Sequence, residues 1–185
     1  MSDRYVLGLD FGTLSVRAAV INTADGSTLG EKVSEYATPV MDRTLVTTGE
    51  PLPADFALQV PGDYLVSMTE AVRGALAASG VDPSAVVGIG LDCTSATVVL
   101  TDEAGMPMCE REEFAGEPQA YLKLWKHHGA TAQALRIVDV ARERGETWLS
   151  RYGGVLSPEM LLPKALELFE RAPRLYAETA EILDI

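Results

Sequence analysis

Residues 5–17 read "YVLGLDFGTLSVR". An apolar run ends at the carboxylate of Asp10, a short loop containing Gly12 and Thr13 follows, and a second alternating run begins at Ser15. Asp and Gly favour tight turns for purely local reasons, so one interpretation of the stretch is a hairpin with a polar turn.

The second interpretation is a phosphate site. Gly12 has no Cβ, so backbone N–H groups can approach an anion closely, and Thr13 and Ser15 add hydroxyl donors. Arg17 adds a cation, although in a strand it can equally be a solvated side chain. Asp10 can hold Mg²⁺, directly or through water, because Mg²⁺ prefers hard oxygen ligands. The chain contains no Walker motif, and these residues alone leave both interpretations open.

Composition limits the class of protein. The chain has 185 residues, 47% of them apolar, which is enough for one domain with a substantial core. A net charge of −12 argues against nucleic-acid and anionic-membrane partners. Two cysteines, Cys93 and Cys109, form no disulfide framework and suit a reducing compartment. No signal peptide or membrane span is evident in the sequence, so we expect a cytoplasmic protein.

The first half of the chain alternates strand and helix patterns. Residues 4–10, 15–22 and 29–36 are predicted strands, and the short turns between them predict an antiparallel meander. Residues 37–61 are rich in Pro and predict a long irregular loop. A helix is expected from Pro61 to Gly80. Its predicted apolar stripe comprises Leu65, Met68, Val72, Ala75 and Leu76.

The remaining patterns complete a layered α/β fold. The apolar run 85–92 predicts a strand buried on both faces, and residues 97–102 predict another strand. Residues 120–129 favour a short strand. A helix is expected at 131–144, with Leu135 and Val138 facing inward. A second helix is expected to begin at a Ser157 cap and to kink at Pro163. A third is expected to begin at Pro173. The closing residues "ILDI" resemble the start of a strand.

A second stretch, "LDCTSAT" at residues 91–97, also ends an apolar run in small polar residues. In open α/β sheets, ligands bind beyond the carboxyl ends of strands. Small residues leave room for a ligand, and their hydroxyl and backbone groups can pair with a polyol. The small polar residues here are Asp92, Cys93, Thr94, Ser95 and Thr97. A tight connection between strands is an equal alternative. Lys126 fits the edge of such a site, although it can also be simply a solvated lysine.

Two other chemistries are disfavoured. Cys93 has no histidine near it in sequence to activate it as a nucleophile. His127 and His128 are adjacent, and adjacent residues rarely share one metal ion. A hydrogen-bonding role at the edge of the site is the expectation for His127.

Several segments resemble a known family. "GLDFGTLSVRAAVIN" (8–22) resembles the first phosphate motif of the FGGY carbohydrate kinases, which share a ribonuclease-H-like core with actin and the heat-shock ATPases. "VVGIGLDCTSATVVLTDEAGMPM" (86–108) resembles the second sheet segment of that family. "LWKHHGA" (124–130), "ERGETWLSRYGG" (143–154) and "SPEM" (157–160) resemble the members of the family that act on L-ribulose in bacterial arabinose catabolism.

The resemblance implies a fold and an activity. The fold would be an α/β, ribonuclease-H-like (actin/sugar kinase-type) domain with a mixed sheet: a three-strand antiparallel meander, parallel strands and flanking helices. Residues 1–185 would form the N-terminal, sugar-binding domain of a kinase that transfers the γ-phosphoryl group of ATP to L-ribulose. The ATP-binding domain and the catalytic aspartate base would lie beyond Ile185, so no catalytic residue is assigned here and this chain alone would be inactive.

The resemblance also assigns site residues. Asp10, Gly12, Thr13 and Ser15, with Arg17 beside them, would face the ATP phosphates and Mg²⁺, and Asp10 would hold the metal through water. Thr94, Ser95, Ala96 and Lys126 would contact the sugar. Glycerol kinases carry an Arg-Glu pair where Ser95 and Ala96 stand, so these short side chains indicate a larger sugar.

Two alternatives remain at this stage. The first is another FGGY kinase, which would act on D-ribulose, ribitol or xylulose. The second is a non-catalytic fragment that binds a sugar or a protein partner. A homodimer is expected of the complete enzyme.

Overall fold

The computed structural model describes residues 4–184. The strands are β1 (Tyr5–Phe11), β2 (Ser15–Asn22), β3 (Thr28–Glu35), β4 (Leu58–Gln59), β5 (Val86–Cys93), β6 (Val98–Thr101), β7 (Leu122–Lys123) and β8 (Glu181–Asp184). The α-helices are α1 (Pro61–Ser79), α2 (Thr131–Glu143), α3 (Leu161–Arg171) and α4 (Pro173–Glu178). The chain divides into two compact units, unit 1 (Met1–Pro39 and Pro61–Thr94) and unit 2 (Val40–Val60 and Ser95–Ile185).

Unit 1 is a mixed four-stranded sheet in the order β3-β2-β1-β5. The strands β1, β2 and β3 form the predicted antiparallel meander, and β5 pairs parallel to β1. Alternating apolar side chains of β1 and β2 point to α1, since successive residues of a strand face opposite sides. The buried cluster comprises Leu7, Leu9, Val16, Ala18, Val20, Tyr36, Ala71 and Ala75. The predicted meander and mixed sheet are therefore confirmed.

Helix α1 packs on the sheet through small residues. Ala71 and Ala75 are fully buried, and Met68, Val72 and Leu76 pack beside them as predicted. Leu65 was expected in this stripe and is 65% exposed. That expectation was wrong: the buried row of α1 runs through Ser67, Ala71 and Ala75, and Leu65 lies outside that row, near the start of the helix.

Strand β5 differs from its prediction. Residues 85–92 were expected to be buried on both faces, yet Ile89 is 64% and Leu91 is 70% exposed. The strand lies at the edge of its sheet, and no second strand pairs with it among residues 4–184. The helix α1 packs mainly over β2 and β3 and leaves β5 uncovered. An apolar composition therefore identified the strand but not its place in the sheet.

Unit 2 contains a second four-stranded sheet in the order β4-β7-β6-β8, with every pair antiparallel. The predicted strands at 97–102 and within 120–129 appear as β6 and β7, and β8 includes most of "ILDI", whose last residue lies outside the described chain. Helices α3 and α4 contribute Leu168 and Leu175 to the core beneath the sheet. The loop predicted at 37–61 is largely irregular and contains only β4 and isolated bridges.

The helices of unit 2 correct two expectations. In α2, Val138 is buried as predicted, but Leu135 is 62% exposed, because the buried row runs through Ala134, Val138 and Ala141. Helix α3 begins at Leu161, after the predicted Ser157 cap. Pro163 therefore lies in its first turn, where an N–H is not needed, and the helix continues beyond it. Among residues 4–184, no helix combines the length and the apolar character needed to cross a bilayer.

Candidate functional site

The turn after β1 is held by three hydrogen bonds to main-chain carbonyls. The N–H of Gly12 donates to the carbonyl of Ser15 at 3.0 Å and closes the turn. The hydroxyl of Tyr36 donates to the carbonyl of Gly12 at 3.0 Å. The N–H of Thr94, directly after β5, donates to the carbonyl of Phe11 at 3.1 Å. The ends of the parallel strands β1 and β5 therefore meet at one edge of the sheet, which is where open α/β folds bind ligands.

Two carboxylates lie side by side at this edge. Asp10 and Asp92 are register partners in β1 and β5, and partners in a parallel pair point to the same face. The carboxylate of Asp10 accepts from the guanidinium of Arg17 at 2.5 Å. All three residues line a concave surface that encloses about 490 Å³. Sequence reasoning counted Asp92 among the small polar residues of the second stretch but did not place it beside Asp10; each of the two is the residue before the last of its strand.

The donor set at this edge fits a magnesium ion. Asp10 and Asp92 supply hard carboxylate oxygens, and 43% of the Asp10 side chain is exposed. Mg²⁺ typically takes one or two carboxylates and completes its shell with water and phosphate oxygens. Within the described chain, no cluster of three or more acidic, His or Cys side chains forms a full protein cage. Asp10, with Asp92 beside it, could therefore hold a hydrated ion.

The other residues predicted to face phosphate have different exposures. Arg17 remains largely exposed and pairs with Asp10, so it can reach an anion. Ser15 is only 7% exposed, and its carbonyl closes the turn. Gly12 and Thr13 are partly exposed at the apex. The structure thus brings the whole predicted phosphate group together within unit 1.

An aromatic stack supports the turn from below. The rings of Tyr36 and Tyr64 stack at 4.5 Å between centroids, and Phe11 stacks on Tyr64 at 6.1 Å. Burial raises the pKa of Tyr36 to about 12, so its hydroxyl stays protonated and able to donate. Burial also raises the pKa of Tyr64. The predicted phosphate turn is therefore bonded to a residue of a buried aromatic stack.

In unit 2, the predicted sugar-contact turn has a strained backbone. Ala96 has a φ of +57°, in the left-handed region that side chains rarely adopt. Its carbonyl accepts a hydrogen bond from the Nζ of Lys164 in α3 at 2.6 Å. The following residue, Thr97, is buried, and β6 begins one residue later. Tertiary contacts therefore hold this turn in place.

Lys164 also joins the turn to the segment that carries Lys126. The Nζ of Lys164 donates to the carbonyl of Leu124 at 2.7 Å and lies 3.4 Å from the carbonyl of Lys123. Lys126 follows two residues later and is partly exposed. Three of the predicted sugar-contact residues, Ser95, Ala96 and Lys126, therefore lie in unit 2, where Lys164 joins their two segments. Thr94 belongs to unit 1. Sequence reasoning missed Lys164. The signal that could have found it is its spacing: Lys164 lies one helical turn before Leu168, on the same face of the predicted helix.

A buried charge cluster lies in the core of unit 2. Glu167 accepts from the Nε2 of His127 at 3.0 Å and lies 3.9 Å from the Nζ of Lys123. The Nδ1 of His127 accepts from the N–H of Ala57, so its proton is on Nε2. Burial lowers the pKa of His127 and keeps it neutral. Burial favours a higher pKa for Glu167, but His127 and Lys123 outweigh it and the net pKa is lowered.

The two histidines and Cys109 have structural roles. His127 is fully buried, so its expected place at the edge of a site was wrong, because the ring lies in the core between Phe56 and Glu167. His128 is exposed and contacts Glu159 at 2.9 Å, apart from His127. Burial raises the pKa of the Cys109 thiol to about 12, which makes it unreactive.

Solved structures of sugar kinases share the fold of this chain. A xylulose kinase from Brucella ovis matches it with a TM-score of 0.75 at 22% identity, over 98% of this chain and 32% of that chain. A gluconate kinase from Lactobacillus acidophilus matches with a TM-score of 0.70 at 14% identity, over 98% of this chain and 31% of that chain. The fold is the mixed α/β, actin- and ribonuclease-H-like fold of the FGGY sugar kinases, as predicted.

The sequence comparison is more specific. No protein-family model matches the chain. A ribulokinase from Mycolicibacterium smegmatis is 48% identical over 94% of this chain and 31% of its own length. A ribulokinase from Bacillus licheniformis is 43% identical over 92% of this chain and 31% of its own length. The chain is related to the ribulokinases and spans about a third of the length of these curated relatives, which confirms the resemblance seen in the sequence.

Proposed function

We propose that this chain is the sugar-binding, phosphate-facing part of a kinase that transfers the γ-phosphoryl group of ATP to the terminal hydroxyl of L-ribulose. The observation that carries the proposal is the 48% identity to a ribulokinase over 94% of this chain. The paired carboxylates and the anchored turn of unit 1 supply matching chemistry. ATP and the reduced thiols suit the cytoplasm, where we place the protein.

On the phosphate side, residues of this chain act by position and charge. The N–H of Gly12 is used within the turn, so Gly12 and Thr13 offer a partly exposed apex, and Arg17 offers a cation beside it. Asp10, with Asp92 beside it, would hold a magnesium ion through water. The ion would neutralise charge on the transferred phosphoryl group. Phosphoryl transfer depends mainly on such positioning and electrostatics, so fixed groups at this edge matter more than a reactive side chain.

On the sugar side, the 94–97 turn supplies small groups. Ser95 is exposed and Ala96 partly exposed, and their short side chains leave space for a ketopentose. The hydroxyls of Thr94 and Ser95 can pair with sugar hydroxyls, and Lys126 can donate from the neighbouring segment. We place the base that deprotonates the sugar hydroxyl outside these residues, so this part of the chain binds and orients the substrate.

A chimaera tests the reaction. This chain replaces the matching third of the Mycolicibacterium smegmatis ribulokinase, and ADP release is measured with L-ribulose. We expect ATP-dependent turnover, and Asp10→Ala should lower kcat by about 10²-fold or more while changing sugar affinity little. Asp25→Ala, in the exposed turn between β2 and β3, is the matched control. Near-normal turnover with Asp10→Ala would contradict the metal assignment.

A substrate panel tests the sugar. L-ribulose, D-ribulose, ribitol and D-xylulose are compared in the chimaera, and we expect the highest kcat/KM with L-ribulose. Ala96→Glu should lower kcat/KM for L-ribulose at least about tenfold, because a carboxylate would occupy the space for the sugar. If the chimaera prefers another sugar of the panel, that sugar replaces L-ribulose as the proposed substrate. Unchanged kinetics with Ala96→Glu would remove residues 94–97 from the sugar site.

A further inference from the structure

Lys164 is a fully buried cation, and within residues 4–184 its hydrogen bonds go to main-chain carbonyls. It is 0% exposed in α3, and its Nζ lies 2.6 Å from the carbonyl of Ala96, 2.7 Å from that of Leu124 and 3.4 Å from that of Lys123. An ammonium group has three donors and no acceptor, which matches these three carbonyl oxygens. These contacts tie the 94–97 turn to the end of β7.

We propose that Lys164 is a positioning residue that fixes the 94–97 turn in the orientation in which it meets the sugar, an inference that rests on the proposed function. Lys164 does not touch the substrate. It acts through the carbonyl of Ala96.

The backbone of Ala96 explains why the turn needs such a support. A non-glycine residue in the left-handed region is about 1–2 kcal/mol less favourable than in the ordinary regions, so it persists only where its surroundings hold it. The contact of 2.6 Å from the ammonium is the shortest of the three made by Lys164. Without this donor, the peptide after Ala96 can rotate towards a relaxed conformation, and the neighbouring Ser95 moves with it.

The surroundings of Lys164 bring its pKa into a range in which its loss of a proton can be followed. Burial and the nearby Lys123 lower its pKa to about 8, against the opposing effect of the carboxylates of Asp184, Glu159 and Glu167. Above that pH the neutral amine has two donors for three carbonyl acceptors. The carbonyl carbon of Ala96 should therefore sense the change.

Lys123 provides a matched control. It is 2% exposed, lies in β7 beside Lys164, and burial lowers its pKa to about 8 as well. Its Nζ, however, is near the carboxylate of Glu167 at 3.9 Å. Lys123→Met thus removes a buried ammonium from the same region and leaves the bond between Lys164 and Ala96 intact.

The first experiment needs no sugar. The ¹⁵N shift of Lys164 Nζ and the ¹³C shift of the Ala96 carbonyl are followed from about pH 6 to 10 in the isotope-labelled chain. We expect both to change with one midpoint. In Lys123→Met the two shifts should still change together, and the pH of their midpoint should rise, because the variant removes a neighbouring positive charge. An Ala96 carbonyl shift that stays constant while Lys164 titrates would overturn the inference, and this result requires no variant to fold.

The second experiment measures L-ribulose binding to the chain by titration calorimetry. Lys164→Met should weaken binding at least about tenfold, since it removes a charged donor from the turn, and Lys164→Arg should restore part of it. Lys123→Met should bind within about threefold of the parent chain. Equal affinity for the parent and a folded Lys164→Met would overturn the inference while leaving the proposed function. Absence of binding by the parent chain would count against the proposed function, and the NMR titration would still decide the role of Lys164.

Discussion

At the scale of single residues, one side-chain hydroxyl contributes to holding the turn after β1. Tyr36 lies outside the turn in sequence, yet its hydroxyl holds the carbonyl of Gly12 at 3.0 Å while its ring stacks on Tyr64. The ring contributes to the stack and the hydroxyl to the turn, and replacing Tyr36 by phenylalanine removes only the hydroxyl.

Tyr36→Phe should keep the stack and release the turn. We expect a loss of about 1 kcal/mol in the unfolding free energy, typical of one hydrogen bond. Hydrogen exchange of the amides of Gly12 and Thr13 should become faster, while exchange within β1 should stay the same. Unchanged exchange at these two amides would show that the hydroxyl of Tyr36 does not restrain the turn.

Glu167 is the second residue whose role depends on its surroundings. It balances the buried Lys123 and accepts from His127, and Arg171 lies 3.7 Å from its other oxygen. A Cβ at Gly129 would lie 2.8 Å from that oxygen, so only glycine fits there without a shift. The position of the Glu167 carboxylate is therefore restricted both by close packing and by its charged neighbours.

Glu167→Gln keeps the shape and removes the charge. We expect the unfolding free energy to fall by about 3 kcal/mol at neutral pH, because Lys123 is left buried without its counter-charge. The measurement is urea denaturation followed by the fluorescence of the tryptophans, both of which lie in unit 2. Glu170→Gln, on the same helix but partly exposed, is the control and should have a much smaller effect.

At the scale of elements, unit 1 depends on the close approach of β3 and α1. A Cβ on Gly30 would lie 2.4 Å from the backbone nitrogen of Ser79 and 2.5 Å from the carbonyl of Ala75. Backbone atoms cannot rotate away, so the helix itself would have to move. The glycine therefore sets the distance at which the helix covers the sheet.

Gly30→Ala should destabilise unit 1 by about 1–3 kcal/mol, since it overpacks a contact between backbones. Gly90→Ala in β5 is the matched control, because a Cβ there meets nothing within 4 Å. Hydrogen exchange across β3 and α1 measures the effect. Equal protection in the two variants would mean that this contact does not determine the packing of the helix.

At the scale of the whole molecule, the exposed apolar face of β5 predicts association. Val87, Ile89 and Leu91 are each more than half exposed on an edge strand, and such strands readily pair with other chains. Light scattering during size-exclusion chromatography should show a mass that increases with concentration. Ile89→Lys should reduce this association, and Leu135→Lys, at a similarly exposed position of α2, should not. A parent chain that stays monomeric throughout would contradict the prediction.

The chain by itself should not phosphorylate L-ribulose. It spans about a third of the length of its ribulokinase relatives, and we place the catalytic base outside it. Loss of a general base typically lowers a rate about 10²–10⁴-fold. A coupled ADP-release assay compares the chain with the chimaera. Turnover within about tenfold of the chimaera would show that the base lies within these residues.

Local patterns in the sequence determined much of this protein. The alternation and turns of residues 4–36 predicted the meander, because strand period and turn chemistry depend on neighbouring residues. The Pro-rich loop, the helix from Pro61 and the carboxylate near the end of β1 were visible for the same reason. The motifs around Asp10 and Ala96 indicated the family.

Contacts between distant residues determined the rest. The apolar run of β5 showed a strand, but its edge position depends on which strands pair with it. Asp92 joins Asp10 only through the register of parallel strands 82 residues apart. Lys164 meets Ala96 across 68 residues, and no local pattern indicates a bond to a main-chain carbonyl. Sequence periodicity identifies which face of an element is apolar, whereas the partner of that face is fixed only when the elements pack together.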